Sequence, residues 1–365
     1  MQHADVQAAE ALEAVARAIS EWTVDQLYGE DASMEARYGA EGRRLWRHEI
    51  QSRVAHLVEA IACNRAVLFT THATWSRAAF MARDLGEGDV ARSLRALGAV
   101  IRDNLPAEIW HRARGVIEEA VTQAPATPEM PASVLDGMGE EGTLARLYLL
   151  QLLQRDREAA ERMVQDLLDG RMPLGTIHER VIAPAMNEIG RMWHLQEASI
   201  ADEHYCTTAT QSILARLRGQ CSRQPANGLA VITCSAGGDM HELGIRMVSD
   251  LFEMDGWNVE CLGANMPSSE VATSAGPQAH RGPVDMVAVS AGTPLALRSV
   301  AHLIDTLRQT PHGEHVAVMV GGQPFHLAED LWQVVGADGM ARSASSAPAV
   351  AADLVRRRSA SATRR

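Results

Sequence analysis

The 365-residue chain contains no lysine, and all 34 of its basic residues are arginine. A cofactor held as a Schiff base on lysine is therefore excluded, as is the phosphate-binding GxxxxGK loop. Aromatic residues make up only 4% of the chain, and no apolar run approaches the ~20 residues that a membrane span needs. The N-terminal segment contains acidic residues and lacks the apolar core of a signal peptide. We therefore expect a cytoplasmic protein with no membrane partner.

Cysteine and positive charge are also sparse. The five cysteines lack CxxC spacing, so the sequence indicates neither a zinc site nor a disulfide framework. The net charge is -12, and residues 1–124 hold 14 arginines against 18 carboxylates. This acidic balance argues against nucleic acid as a partner.

Two breaks in composition divide the chain. The first is "TQAPATPEMPAS" at 122–133, where three prolines stand among small residues, and the second is "GQCSRQPANG" at 219–228. Before the first break, the spacing of apolar residues predicts an all-helical domain over residues 1–124. Between the breaks, four helical patterns joined by short connections predict a four-helix bundle over residues 134–220.

The period of the pattern changes after residue 227. Four short β-branched apolar runs follow, "GLAVITCSA", "WNVECLG", "DMVAVSA" and "HVAVMVGG", and each precedes a helical stretch. This alternation predicts a doubly wound, Rossmann-like parallel sheet over residues 227–356, with helices on both faces. The closing residues 357–365 are basic and predict a disordered tail.

Ligands of such sheets bind at the carboxyl ends of the strands. The glycine spacing of the dinucleotide fingerprint GxGxxG is missing there, which disfavours a nucleotide site. The first of these loops, "CSAGGDMHELG", predicts His241 in the first turn of the following helix, with Asp239 two residues earlier. Two interpretations remain open. Asp239 orients the ring of a metal-binding His241, or it caps a helix that begins with a solvated histidine.

Three loops together resemble the cobalamin-binding domain of corrinoid proteins, whose pattern is DxHxxG, SxL and GG. The resemblance implies that His241 replaces the cofactor's own benzimidazole as the lower cobalt ligand, with Asp239 as its orienting partner. It also implies a slot for the displaced nucleotide tail. The implied slot residues are Gly244, Ser290, Gly292, Gly321 and Gly322. One departure is the SxL element, which reads "SAGTPL", so that its leucine is displaced.

The stretch "WHLQEASIADEH" at 193–204 resembles the bundle that caps cobalamin in the light-dependent adenosylcobalamin repressors of the CarH type. The resemblance implies that Trp193 packs over the adenosyl group and that His194 binds cobalt from above once light has expelled that group. Glu203 and His204 complete the motif. Taken one by one, these residues have ordinary interpretations: Trp193 as a core anchor, and Glu203 with His204 as a pair at a helix start.

The helical region at residues 45–101 resembles that of photocobilins, which carry a bilin as well as adenosylcobalamin. A linear tetrapyrrole needs an apolar slot, cations for its propionates and polar partners for its pyrrole N–H groups. An arginine-rich helix face that is simply solvated is the alternative. The candidate residues for biliverdin or a related bilin are Arg43, Arg47, His48, Arg53, His72 and Trp75.

These resemblances lead us to expect a light sensor rather than an enzyme. Adenosylcobalamin would bind between the bundle and the α/β domain, and breakage of its cobalt–carbon bond would change the contact with a partner protein or a light-dependent homo-oligomer. A self-contained mutase is excluded, because it needs a barrel of about 250 residues and too few residues remain outside the cobalamin module. The alternative is a corrinoid carrier for a partner methyltransferase.

Overall fold

The computed structural model describes residues 1–86, 88–123, 130–277 and 284–362, with the side chains of 361 and 362 left aside. The chain forms two compact units, Met1–Met130 and Pro131–Arg365. Much of the predicted break at 122–133 lies outside the described residues. None of the helices in the described ranges combines the length and apolar character needed to cross a bilayer.

In its described residues, the first unit consists of helices joined by turns and short connections, as its apolar spacing predicts. Its core forms around the long fourth helix, where the side chains of Trp46, Ile50, Val54 and Leu57 are buried at helical spacing. The helices are α1 (His3–Ala14), α2 (Ala16–Glu30), α3 (Ser33–Tyr38), α4 (Gly42–Cys63), α5 (Val67–Met81), α6 (Asp89–Asn104) and α7 (Ala107–Gln123).

The second unit begins with a bundle of four helical segments. They are α8 (Gly139–Leu153), α9 (Arg157–Asp169), a composite third segment and α12 (Ile200–Gln220). The third segment runs without a break through α10 (Leu174–Ile177), a π-helical turn (His178–Ile182) and α11 (Ala183–His194). Pro184 stands just after the π-helical turn and has no N–H to donate to the preceding turn, which favours a local widening of the helix.

The bundle is followed by a five-stranded parallel sheet in the order β2-β1-β3-β4-β5. Its strands are β1 (Ala230–Ala236), β2 (Asn258–Met266), β3 (Met286–Ser290), β4 (Ala317–Gly321) and β5 (Gly339–Met340). The strand order reverses between β1 and β3, which opens a crevice at their carboxyl ends. The doubly wound prediction is confirmed, with β5 as a short strand beyond the four apolar runs.

Helices cover the sheet between its strands. They are α13 (Leu243–Met254), α14 (Ser268–Ser274), a 3-10 turn (Pro294–Ala296), α15 (Leu297–Arg308), α16 (Pro324–Leu327), α17 (Leu331–Val334) and α18 (Ala347–Ala362). The prediction of a disordered tail from residue 357 is wrong for residues 357–362, which belong to α18. The Arg358 guanidinium holds this end by donating to the Glu314 carbonyl at 2.8 Å and to the Asp338 carboxylate. Residues 363–365 lie outside the described residues.

Candidate functional site

His241 lies in the loop between β1 and α13. The helix begins at Leu243, so the prediction that His241 occupies its first turn is wrong. Asp239 Oδ1 accepts the backbone N–H of His241 at 3.0 Å and lies 2.7 Å from the ring Nδ1. This local turn around the Asp239 side chain diverts the backbone from the helical path. Asp239 therefore orients the imidazole and does not cap α13, whose N-cap position is Glu242.

A glycine from the neighbouring strand end completes this arrangement. The backbone N–H of Gly292, just beyond β3, donates to Asp239 Oδ2. Asp239 is only 3% exposed, and each of its two carboxylate oxygens has a hydrogen-bond partner inside the protein. A Cβ on Gly292 would lie 2.5 Å from Cγ of His241, closer than real Cβ contacts allow. The lack of a side chain at Gly292 thus makes room for the ring in the crevice between β1 and β3.

The hydrogen bonds fix the proton on the imidazole. Burial alone would raise the pKa of Asp239, but hydrogen bonds from the His241 ring and from the amides of Gly292 and His241 lower it. An ionised carboxylate only accepts, so Nδ1 of His241 carries a proton. The bond to Asp239 also raises the pKa of His241, against the opposing effect of burial. In the neutral ring, Nε2 then keeps its lone pair, and the side chain is 65% exposed. This is the form of histidine that binds metals.

A cavity of about 480 Å³ lies at the strand ends, beside the first turn of α13, and His241 itself is not among the residues that line it. Four of the predicted slot residues line it, namely Gly244, Ser290, Gly321 and Gly322. A Cβ on Gly244 would meet nothing within 4 Å, so the space beside it is open. Gly322 has φ +107° and its Cβ would lie 2.0 Å from the Ala291 carbonyl oxygen, so a side chain is not tolerated there. The fifth predicted residue, Gly292, supports His241 instead.

The bundle places the predicted cap residues at the ends of two helices. Trp193 and His194 end α11, while Glu203 lies in the first turn of α12 and His204 directly follows that turn. Trp193 is 47% exposed, which does not fit a core anchor. Ser199 and Asp202 form the capping box of α12, so that role does not fall to Glu203 and His204.

The carboxylate of Glu203 acts electrostatically on His241. The negative charge of Glu203 contributes to the raised pKa of His241, after the larger effect of Asp239. Glu203 Oε2 lies 2.7 Å from Nδ1 of His204, and its Oε1 accepts from the Thr207 hydroxyl at 2.9 Å. Further along α12, the Gln211 amide donates to the Glu242 carboxylate at 3.3 Å, so this helix packs beside the loop that carries His241.

The structure does not bring the six bilin candidates of the first unit together. Arg53 is fully buried and donates to the hydroxyls of Ser76, at 2.9 Å, and Ser93. Arg43 pairs with Asp25 at 3.0 Å. These two arginines already have protein partners.

The other four candidates also lie in different places in the first unit. Arg47 and His48 line an open cavity of about 540 Å³ with Tyr38. His72 stacks on His56, with 3.7 Å between ring centroids, and Trp75 is exposed. Arg47 and His48 are thus the pair of candidates that share a cavity.

His178 borders the cavity at the strand ends and was not a predicted site residue. It lies in the π-helical turn of the bundle and is buried. Pro184, inside an otherwise helical pattern, was the sequence signal for an irregular turn nearby.

Fold and site together define a class of protein. A helical bundle precedes a doubly wound domain, and that domain presents an oriented imidazole above a glycine-lined slot at its switch point. This arrangement suits a bulky cofactor that takes one histidine ligand and buries part of itself in the sheet.

Comparison with protein families identifies the cofactor. Residues 229–351 match the family model described as the B12 binding domain, and residues 144–218 match a second model with the same description. Both matches lie in the second unit and cover the sheet domain and most of the bundle. The chain is therefore a cobalamin-binding protein.

Curated relatives agree with this assignment. The chain is 25% identical over 199 residues to monomethylamine corrinoid protein 2 of Methanosarcina acetivorans, covering 53% of this chain and 89% of that protein. It is 28% identical over 195 residues to dimethylamine corrinoid protein 1 of the same organism, covering 51% and 85%. The fold is that of the Methanosarcina barkeri monomethylamine corrinoid protein, with a TM-score of 0.51, 19% identity and coverage of 58% and 98%.

Proposed function

We propose that this chain holds cobalamin between its bundle and its sheet, with His241 as the lower cobalt ligand. The observation that carries the proposal is the orientation of His241 by Asp239 and Gly292, which leaves the Nε2 lone pair outward. An imidazole nitrogen is a suitable ligand for cobalt. The cofactor supplies a cobalt centre that holds and releases an alkyl group.

The remaining residues fit the rest of the cofactor. The open space at Gly244 and the 480 Å³ cavity lined by Ser290, Gly321 and Gly322 offer room for a nucleotide tail. In this proposal, Asp239 holds the proton on Nδ1 and thereby keeps Nε2 directed at the metal. The slot residues retain the tail, so the cofactor stays bound while its upper face changes partners.

We infer that the chain acts as a corrinoid carrier for a partner methyltransferase and is not itself the catalyst. The support is that its curated relatives over this region are corrinoid proteins named for monomethylamine and dimethylamine. A carrier must present the upper side of its cofactor to another protein. The exposed Trp193 at the end of α11 marks a surface that such a partner would contact.

A light sensor that uses adenosylcobalamin is the second candidate. The observation in its favour is the cap: Trp193 and His194 end one helix, and Glu203 at the start of the next influences the pKa of His241. In this proposal, Trp193 covers the adenosyl group and His194 takes the upper position after illumination. The output would be a changed contact with a partner protein or a second copy of the chain.

A bilin in the first unit belongs to the same second candidate. Its support is the open cavity lined by Arg47 and His48, where two basic side chains could meet propionates. Titration of the full chain with biliverdin tests it. A saturable red absorption band that Arg47→Ala weakens supports the site, and a free-biliverdin spectrum at all ratios rejects it.

One set of absorption spectra separates carrier from sensor. The full chain would be loaded in darkness with methylcobalamin or adenosylcobalamin and recorded before and after illumination. A carrier binds methylcobalamin and transfers its methyl group when mixed with a methyltransferase, with no lasting light product that depends on His194. A sensor gives a stable light-induced spectrum with adenosylcobalamin. Failure to bind either form, with the fold intact, rejects both.

A further inference from the structure

His178 is a buried polar side chain that the described part of the chain leaves without a well-formed hydrogen bond. It is 1% exposed, and among the described residues neither Nδ1 nor Nε2 makes a hydrogen bond of normal geometry, although the backbone carbonyl of Met247 lies close enough to act on the pKa of the ring. Burial lowers the pKa of its imidazole to about 4. The ring is therefore neutral at physiological pH, with one nitrogen that donates and one that accepts. Buried polar groups normally have partners, so an unsatisfied imidazole calls for an explanation.

The position of His178 supplies that explanation. It borders the 480 Å³ cavity at the strand ends, in the π-helical turn of the bundle. Turns of this kind are frequent at functional sites. The next residue, Glu179, accepts from the backbone N–H of Ser345 at 2.7 Å and from its hydroxyl at 2.8 Å. The turn is thereby tied to the loop that precedes α18.

The cavity wall around His178 is apolar, whereas its rim is polar. Met247 and Val248 of α13 and Ala288 of β3 line the cavity, and Met247 and Ala288 are buried. Ser343 and Arg342 line it from the loop before α18 and are more exposed. A flat aromatic base suits the apolar wall, while a sugar and a phosphate suit the polar rim. An aromatic base with a ring nitrogen would give the buried imidazole its missing partner.

We propose that His178 recognises the lower base of the cofactor's nucleotide tail by donating a hydrogen bond to the base's unsubstituted ring nitrogen. This inference rests on the proposed cobalamin binding and adds a specificity-determining residue to it. A histidine here discriminates between tails with and without an acceptor nitrogen. Binding of the tail would give the imidazole a well-formed hydrogen bond, which the described residues do not supply.

The test compares three probes on one set of full-length variants. The probes are cobalamin, cobinamide, which lacks the nucleotide tail, and a cobamide with a phenolic lower base, which has no ring nitrogen. The variants are His178→Leu, His178→Gln and, as a control, His302→Leu, whose side chain is exposed on α15. Dissociation constants are measured in darkness by absorption, and folding by circular dichroism and thermal unfolding.

We expect His178→Leu to fold with a Tm at or above that of the wild type, because an unpaired buried imidazole is removed. Its Kd for cobalamin should rise about tenfold, about 1.4 kcal/mol, while its Kd for cobinamide and the phenolic cobamide stays unchanged. His178→Gln, which keeps an N–H donor, should recover part of the loss. His302→Leu should match the wild type with every probe.

Other results overturn the assignment. Equal weakening for all three probes, or a lowered Tm without the selective loss, makes His178 structural. A loss shared by cobalamin and the phenolic cobamide moves the contact to the sugar or phosphate and rejects the base nitrogen. Unchanged binding by His178→Leu rejects the inference alone, because the wild type still binds. If the wild type binds none of the probes, the proposed function fails with it.

Discussion

The ring of His241 packs against the bare Cα of Gly292, and the two residues come from the loops after β1 and β3, on either side of the switch point. A Cβ at Gly292 would lie within 2.7 Å of three atoms of His241. The backbone N–H of Gly292 also donates to the carboxylate that orients the ring. Gly292 thus supports the imidazole in two ways: its lack of a side chain leaves space for the ring, and its N–H binds the carboxylate that orients the ring.

Replacing Gly292 with alanine should displace the imidazole while the sheet remains folded. We expect Gly292→Ala to weaken cobalamin binding by about 10–100-fold, the range found when the support of a metal ligand is removed. Absorption titration in darkness measures the change. Gly219→Ala is the matched control, because a Cβ there meets nothing within 4 Å. An unaltered Kd for Gly292→Ala would show that the ring tolerates the intrusion.

Changing Asp239 to asparagine should alter the tautomer of His241. An amide can donate to Nδ1, which favours the ring form that carries its proton on Nε2, where the metal should bind. We expect a loss of cobalamin affinity of about 10–100-fold. Asp353→Asn, in an exposed ion pair with Arg356, serves as the control. Equal affinities for the Asp239→Asn and Asp353→Asn proteins would contradict the orienting role.

Asp250 should make stability fall as pH rises. Burial raises its pKa to about 7, and Glu253 adds to the increase, while Arg218 and Arg246 oppose it. An unfolded aspartate titrates near 3.9, so between about pH 4 and pH 7 the folded state binds more protons than the unfolded state. The free energy of unfolding therefore declines across this window.

Asp250→Asn should remove that decline. The variant should be more stable than the wild type above about pH 7, by on the order of 2–4 kcal/mol. Near pH 4 the two proteins should differ far less. Urea unfolding at both ends of the window measures this, and Asp255→Asn, at the exposed residue that follows α13, is the control. Parallel pH profiles for wild type and Asp250→Asn would contradict the raised pKa.

His194→Ala separates the two candidate functions. Since His241 is the proposed lower ligand, the variant should bind cobalamin in darkness with the affinity of the wild type. If the chain is a sensor, the stable light-induced spectrum should be lost, and with it any light-dependent change in oligomer size. Trp193→Phe, which keeps an aromatic ring beside His194, is the comparison. If the stable light-induced spectrum persists in His194→Ala, the assignment of His194 as the upper cobalt ligand is wrong.

Short β-branched runs and the helical spacing of apolar residues were enough to predict the architecture. Each of the four β-branched runs contains a strand, whereas β5 has only two residues and leaves no periodic signal. The tail was mistaken for disorder because the contacts of Arg358 with Asp338 and Glu314 are tertiary and do not appear in local composition.

The site was predictable in its residues but less so in its geometry. The pairing of Asp239 with His241 follows from their spacing, but the turn that keeps them out of α13 depends on a side-chain bond to the backbone. The resemblance predicts Gly292 in the slot, whereas the structure places it against His241. The sequence does not reveal which atoms a Cβ at this glycine would meet. His178 could not be singled out, because a histidine on an apolar helix face usually belongs to a packed core.

The π-helical turn also sets the direction in which the end of the third bundle segment points. A π turn holds about one residue more than an α turn, and each residue of an α-helix advances by about 100° around the axis. Deleting one residue between His178 and Ile182 would therefore swing Trp193 and His194 about a quarter of a revolution around the helix. The extra residue therefore sets the angle between the part of the helix that borders the slot and the part that carries Trp193 and His194, which in the proposed complex would face the opposite side of the cofactor.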